Sequence, residues 1–300
     1  MDETRRGTLY GAAAYGLWGL FPLYWPLLEP SGPVEVLAHR VLWSLVVVAV
    51  LLRLVGRART VREVVRDRGR LLRLAIAAVA IGVNWGAYIY GVTSGHVVET
   101  SLGYFVNPLV TVLLGVFVLG ETLRPVQWTA LGLAAVAVVV LTVEAGRPPW
   151  LALVLALSFA LYGLLKKTTG VGAVEGLAVE TAVLAPVAAA YLVVLGAQGG
   201  STFGTLGAGH ALLIATTGIV TAVPLLAFGA AARRVPLTTL GLLQYLAPTI
   251  QFLLGVLLLG EPLGVVQLVG FSLVWLALAL FTADLLTHAR RAARFVPEPV

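Results

Sequence analysis

The chain has 300 residues, of which 59% are hydrophobic and 11% are charged, and its formal net charge is +6. Soluble domains carry about 25% charged residues, so this composition excludes an ordinary water-soluble fold and indicates a protein embedded in lipid. The chain contains no cysteine, which excludes disulfides, thiolate nucleophiles and cysteine-ligated metals.

Ten apolar segments follow one another along the chain, and each approaches the roughly 20 residues that a helix needs to cross a bilayer. The first follows Arg5 and Arg6 as a signal peptide would, but it is long and aromatic and no small-residue cleavage site follows it. We therefore expect it to remain as the first span. The sequence predicts an all-α integral membrane protein with ten transmembrane helices, at residues 8–28, 34–55, 71–91, 97–119, 125–144, 149–166, 174–196, 209–230, 236–259 and 264–284.

Basic residues are distributed unevenly between the connections. Eighteen of the 20 Lys and Arg residues fall at alternate ends of the spans, the other set of connections holds Arg147 alone, and Arg40 lies within the second span. Cytoplasmic loops are enriched in basic residues, so both termini are predicted to be cytoplasmic. The arginine-rich stretch 53–73 is then explained by topology and lipid headgroups, and we expect no nucleic-acid partner.

The second half of the chain repeats the first at a shift of 140 residues. Ten of the fifteen residues from 113 to 127 are identical to those from 253 to 267 without a gap. Five spans per half is an odd number, so the second half must lie inverted relative to the first, as in many secondary transporters. The predicted units are residues 1–145, with spans 1–5, and residues 146–300, with spans 6–10 and a cytoplasmic C-terminal tail.

Pro108 and Pro248 occupy equivalent positions in the fourth and ninth spans. Each removes one backbone donor and frees a carbonyl about four residues earlier. In lipid that carbonyl needs a partner, so we predict helix kinks that face protein or a water-filled cavity. A tolerated packing kink remains the alternative.

Polar and aromatic side chains at membrane depth provide the candidate binding site. Asn84 and Tyr88 share one face of the third span, and the amides of the ninth span lie on either side of Pro248. Such groups could bind a solute, or they could only join helices by hydrogen bonds. The candidate substrate-binding residues are Trp18, His39, Arg40, Asn84, Tyr88, Tyr104, Asn107, Tyr162, Gln244, Tyr245 and Gln251.

Charged residues near the spans leave more than one interpretation. Arg40 could extend to the interface, pair with an acid, or attract an anionic group of a substrate. Glu99 and Glu180 are candidate proton-coupling residues, and Glu180 could instead pair with Lys166 or Lys167.

Several function classes are disfavoured because their motifs are missing. The sequence has no phosphate-binding G-x-x-x-x-G-K-[ST] loop, no H-E-x-x-H and no G-x-S-x-G. We therefore expect neither an enzyme nor an ATP-driven pump, and we expect no cofactor and no metal site. Spacings such as Gly82 to Gly86 could pack helices within the chain or in a homodimer.

Longer motifs resemble a known family. The stretches are 15–25 (YGLWGLFPLYW), 39–44 (HRVLWS), 96–109 (HVVETSLGYFVNPL), 162–167 (YGLLKK) and 240–249 (LGLLQYLAPT). They resemble the RarD branch of the EamA group in the drug/metabolite transporter superfamily, over about residues 8 to 285. Leu243 stands where bulkier or aromatic residues are usual in that branch. The resemblance implies ten helices as two inverted repeats in a bacterial inner membrane, and a transporter with an association with chloramphenicol sensitivity.

The sequence therefore predicts a secondary transporter that moves a small polar or amphipathic metabolite or drug by alternating access. The cavity is expected between spans 1, 2, 3, 4, 6 and 9. The alternative is a membrane partner or regulator that transports nothing, which would have a sealed core with its amides satisfied among themselves.

Overall fold

A computed structural model describes residues 3–94, 97–145, 150–258 and 264–294, and these residues are almost entirely helical. The helices are α1 Glu3–Gly19, α2 Phe21–Tyr24, α3 Pro33–Leu54, α4 Ala58–Arg66, α5 Arg68–Thr93, α6 Val97–Leu119, α7 Pro125–Ala145, α8 Trp150–Thr168, α9 Ala173–Ala197, α10 Ala208–Ala232, α11 Leu237–Leu243, α12 Leu246–Leu257 and α13 Val265–Arg294, with a 3₁₀ helix at Trp25–Leu28.

Over its described residues, each of the ten predicted apolar segments is helical, and two of them are interrupted. The first consists of α1, α2 and the 3₁₀ helix, where Pro22 and Pro26 stand at the starts of the two short helices. The ninth consists of α11 and α12, which are separated at Gln244 and Tyr245, four and three residues before Pro248. The ninth span is therefore interrupted just before Pro248, whereas α6 continues as one helix through Pro108, and the kinks expected at the two prolines stay a prediction.

Within the described ranges, seven helical stretches are long and apolar enough to cross a membrane, which supports an integral membrane protein. They are Pro33–Leu54, Arg68–Gly91, Pro125–Val143, Trp150–Thr168, Ala173–Ala197, Ala208–Ala232 and Leu237–Leu257. Gly103–Leu119 and Leu268–Asp284 are shorter apolar stretches within α6 and α13. Large apolar side chains that remain exposed, such as Val187 and Phe117, are the expected surface of a protein that faces lipid.

The arginine-rich segment between α3 and α5 forms the short amphipathic helix α4. Its single buried residue, Val64, packs with Leu74, Val171 and Val179 beneath it. Asp67 begins α5 by accepting a hydrogen bond from the backbone N–H of Arg70 at 3.0 Å. That bond holds the pKa of the exposed Asp67 carboxyl below its ordinary value.

The long helices form one bundle in which the two halves of the chain interleave. α3 packs against α9 and α10, α5 against α8 and α9, and α6 against α8 and α11. α1 packs against α10 and α12, while α7 pairs with α13 at one side. The core contains many alanines, such as Ala14, Ala77 and Ala231, because small side chains let helices approach closely where no hydrophobic force drives association in lipid.

A close contact between α3 and α10, at Trp43 and Gly218, yields a test of this packing. A Cβ added to Gly218 would meet the backbone carbonyl carbon of Trp43 and lie 2.6 Å from its Cβ, so Gly218→Ala is expected to destabilise the fold by about 1–3 kcal/mol through overpacking. Gly132→Ala is the matched control, because nothing lies within 4 Å of its added Cβ. Thermal unfolding in detergent should show a lower melting temperature for the first variant only; equal melting temperatures would contradict the packing.

Candidate functional site

A cavity of about 250 Å³ lies at the centre of the bundle. Its walls come from spans 1, 2, 3, 4, 6 and 9, as expected from the sequence, with Leu225 of α10 in addition. Aromatic and aliphatic side chains make up most of the lining, and amides, tyrosine hydroxyls and the Arg40 guanidinium supply the polar groups. This combination is typical of sites for small organic molecules.

Eight of the eleven candidate substrate-binding residues line this cavity. Helices that are distant in sequence bring them together, since they come from α1, α3, α5, α6 and the interrupted ninth span. They are Trp18, Arg40, Asn84, Tyr88, Tyr104, Asn107, Gln244 and Gln251. Their role in binding a substrate stays a prediction.

The structure places the other three candidates away from the cavity. The His39 ring lies 4.7 Å from the ring of Phe203, in the connection between α9 and α10, and the Tyr245 hydroxyl donates to the carbonyl oxygen of Phe105 at 3.3 Å. Tyr162 lies deeper in the bundle. His39 is next in sequence to Arg40, and Tyr245 is next to Gln244, and both of these neighbours line the cavity. Consecutive side chains on a helix point about 100° apart. His39 and Tyr245 therefore face other parts of the bundle.

The cavity amides also hold helices together. Asn84 Nδ2 donates to the Leu155 carbonyl oxygen at 2.8 Å and to Ser158 Oγ at 3.1 Å. Gln251 Nε2 donates to the Trp18 carbonyl oxygen at 3.1 Å, near the end of α1. These amides therefore line the cavity and join helices at the same time, so both interpretations from the sequence apply to them.

Two amide oxygens at the cavity have no hydrogen-bond partner among the described residues. Gln244 Nε2 donates to Thr111 Oγ1 at 3.1 Å, but Gln244 Oε1 is buried without a partner, and so is Asn107 Oδ1. Buried polar atoms are seldom left unsatisfied. These two atoms are consequently the positions where a solute or water would gain a hydrogen bond.

Arg40 carries the positive charge of the cavity. Its Nε–H donates to Thr221 Oγ1 at 2.9 Å, and its guanidinium carbon lies 4.8 Å from the ring centroids of both Trp25 and Trp85. Each cation–π contact contributes about 0.5–2 kcal/mol. Removing an ion from bulk water costs several kcal/mol, so the two rings offset only part of that cost.

Beneath the cavity, aromatic rings from both halves of the chain pack into a floor. Trp18 and Tyr15 of α1 meet Phe159 of α8 and Phe228 of α10, with ring centroids 5.7 Å apart for Trp18 and Phe159 and 6.1 Å apart for Tyr15 and Phe228. Tyr162 stacks on Phe228 from below at 5.5 Å. The floor separates the cavity from the charged groups below it.

Lys166 and Glu180 form a buried ion pair below this aromatic floor. Lys166 Nζ donates to Glu180 Oε1 at 2.8 Å, and the Tyr162 hydroxyl donates to Glu180 Oε2 at 3.2 Å. The two charged side chains are 5% and 2% exposed. Of the two partners open to Glu180, the structure therefore selects Lys166. The side chain of Glu99, the other proton-coupling candidate, lies outside the part of the chain that the structure describes.

Further contacts lie at the same end of the bundle, and most of them join a residue of the first half to one of the second. Glu121 accepts hydrogen bonds from the backbone N–H groups of Leu237 at 2.7 Å and Thr238 at 2.8 Å, and so holds the first turn of α11. Lys167 Nζ donates to the Val235 carbonyl oxygen at 2.6 Å and lies 3.8 Å from Glu121 Oε1. Two ion pairs complete the group: Arg57 with Glu175, and Arg124 with Asp284.

Sequence reasoning missed several residues of the site. Tyr15 lies three residues before Trp18, so helical spacing would have placed it on the same face. Trp25 stands in an aromatic cluster at the end of the first span. Thr221 carried no such signal, because its contact with Arg40 depends on how α3 packs against α10.

The fold and cavity define an α-helical integral membrane protein with a small central chamber. The EamA-like transporter family matches residues 5–143. Protein RarD of Streptomyces exfoliatus is 58% identical over 97% of this chain and 92% of its own, and Protein RarD of Escherichia coli is 42% identical over 97% and 99%. A Pseudomonas aeruginosa protein named as an uncharacterized transporter is 43% identical over 98% of both chains.

A solved structure, titled only as the crystal structure of a protein, matches with a TM-score of 0.70 at 20% identity and covers 91% of this chain and 96% of its own. At that identity it supports the fold alone. The chain belongs to the EamA-like transporter family of the drug/metabolite transporter superfamily and, within it, to the RarD proteins. These relatives point to a membrane transporter rather than an enzyme.

The buried ion pair gives a stability test. Lys166→Met leaves the Glu180 carboxylate buried without its partner, and breaking a buried pair in this way costs about 3–5 kcal/mol. Replacing both residues, as Lys166→Met with Glu180→Leu, should recover most of that loss because no unpaired charge remains. The test is to measure the melting temperatures of the parent, the single variant and the double variant in detergent. A Lys166→Met protein that melts at the same temperature as the parent would show that the ion pair does not contribute to stability.

Proposed function

We propose that this protein is a secondary transporter that moves a small polar or amphipathic solute across the inner membrane by alternating access. The observation that carries the proposal is the central cavity, whose amide oxygens at Asn107 and Gln244 lack partners among the described residues. A membrane partner without transport activity would have no use for such a chamber, and its amides would be satisfied among themselves. A homodimer stays a prediction.

Ten crossings in two inverted repeats are part of the proposal. The repeat makes α8 the counterpart of α1, α9 of α3, α10 of α5, α11 and α12 of α6, and α13 of α7. The packing of α5 against α8 then has its counterpart in α10 against α1, and that of α6 against α8 in α12 against α1. Helices that are counterparts of each other in the two halves are also in contact, as α3 is with α9 and α7 is with α13. This exchange symmetry supports units 1–145 and 146–300.

The contacts around the cavity indicate a chamber open to the outside and closed to the cytoplasm. The aromatic floor, the Lys166–Glu180 pair and the group around Glu121 lie at the end where basic residues concentrate, which is the predicted cytoplasmic side. Trp25, Arg40 and Tyr88 line the cavity near the other end of the bundle. A rocking motion of one half against the other would break the contacts that join the halves, such as those of Glu121 with Leu237 and Thr238, and admit the cytoplasm.

Proton coupling is a further element of the proposal. Glu180 is a buried carboxylate whose partners, Lys166 and Tyr162, lie directly beneath the aromatic floor. A proton taken up there would weaken the ion pair that joins α8 to α9 below the floor. Glu99 stays a prediction from the sequence, and transport by Glu99→Gln under an imposed pH gradient would test it.

The chain has no cysteine, so single cysteines report access directly. Asn107→Cys should react with a membrane-impermeant maleimide added from the outside, because its side chain lines the cavity. Ala134→Cys is the buried control, since Ala134 is 0% exposed in a core cluster, and it should react from neither side. Labelling in right-side-out and inside-out vesicles measures both. Absence of reaction at Asn107→Cys from either side would favour the regulator.

The closed end yields a second test in the same vesicles. Glu121→Ala, combined with Asn107→Cys, removes the acceptor for two N–H groups of α11, and losing a helix cap costs about 1–2 kcal/mol. We expect up to roughly tenfold faster labelling from the cytoplasmic side. Glu63→Ala is the control, because Glu63 is exposed on α4. Equal rates in the two variants would remove Glu121 from the closure.

A further inference from the structure

The surroundings of Arg40 leave most of its hydrogen-bonding capacity unused. A guanidinium has five N–H groups, and the Nε–H bond to Thr221 is the single hydrogen bond that Arg40 donates to a described residue. No described carboxylate lies within ion-pair distance of it. Four N–H donors on the two Nη atoms therefore lack a partner in the described part of the chain.

The two tryptophans cover the faces of the guanidinium and leave its edge free. Its central carbon lies over the Trp25 ring and over the Trp85 ring, 4.8 Å from each centroid. Ring faces attract the positive charge but accept no conventional hydrogen bond from the Nη–H groups. Held in this way, Arg40 keeps a fixed planar fork of donors at the wall of the cavity.

We propose that the cavity selects small organic anions, whose carboxylate forms two parallel hydrogen bonds with the Nη–H groups of Arg40. The inference rests on the proposed transport function and specifies its substrate class. Planar carboxylates match the geometry of a guanidinium fork, and such charge-assisted pairs are about twice as strong as neutral hydrogen bonds. The body of the anion would lie against Trp18 and Tyr88, with a polar group at the free amide oxygens of Asn107 and Gln244.

Charge at the cavity argues against neutral and cationic solutes as preferred ligands. Among the residues that line it in the described part of the chain, Arg40 is the single one with a formal charge. A cation would be repelled at short range in a chamber with apolar walls, where electrostatic interactions are stronger than in water. A neutral solute of equal shape would leave the Nη–H donors less well satisfied than a carboxylate does.

The test uses three probes that share a phenol ring and differ in their terminal group: 4-hydroxyphenylacetate, its neutral amide, and the amine tyramine. Each is titrated to 10 mM into the purified full-length protein in detergent, and the melting temperature is measured. A ligand of the folded state raises that temperature by mass action. We expect a concentration-dependent rise with the carboxylate, and at least tenfold weaker binding of the amide and the amine.

Variants connect the effect to Arg40. Arg40→Gln should abolish the carboxylate-dependent rise, and Arg40→Lys should retain part of it, because a lysine keeps the charge without the planar fork. Arg59→Gln is the matched control, since Arg59 is exposed on α4 outside the cavity, and it should bind as the parent does. Melting temperatures without ligand show whether each variant is folded. If Arg40→Gln does not fold, the comparison of Arg40→Lys with the parent still tests the proposal.

Three outcomes would overturn the proposal: equal binding of the carboxylate and the amide, no carboxylate-dependent rise up to 10 mM, or a rise in Arg40→Lys and Arg40→Gln equal to that of the parent. None of these affects the labelling of Asn107→Cys, which reports the open cavity independently of the ligand. Failure of the anion assignment and failure of the transport proposal are therefore distinguishable.

Discussion

The constraint on which the rest of the structure depends is that lipid offers no hydrogen bonds to the backbone. Inside a bilayer each N–H and carbonyl group must find its partner within the protein, which leaves helices as the main solution for this chain. The interruptions in that pattern are correspondingly informative. The first and ninth segments are broken, and both breaks adjoin the central cavity, at Trp25 and at Gln244.

Side chains repair those interruptions and build the cavity at the same time. Gln251 holds the end of α1 by its bond to the Trp18 carbonyl oxygen, and Gln244 links the broken ninth span to Thr111 of α6. In a soluble protein water could serve these backbone and amide groups. Here each of these two amides joins two helices and also lines the chamber, so residues that stabilise the bundle also belong to the proposed binding site.

The charged side chains inside the bundle also need partners within the protein, because lipid supplies none. Lys166 and Glu180 neutralise each other below the aromatic floor, where neither could remain alone without a large penalty. Arg40 instead lies between two indole rings and retains unused donors. The charges of Lys166 and Glu180 thus compensate each other, whereas that of Arg40 at the cavity is compensated only in part, which is consistent with the binding role that we propose for it.

The sequence by itself determined the helical segments, the internal repeat and most of the site, because each depends on local composition or spacing. Arg40, Asn107 and Gln244 were identifiable because polar groups at membrane depth are costly and therefore rare. The tertiary structure alone decided which of two neighbouring residues faces the chamber, as with Arg40 and His39, and which partner Glu180 takes. Those choices depend on the rotation of each helix about its axis, which is fixed by packing between helices distant in sequence.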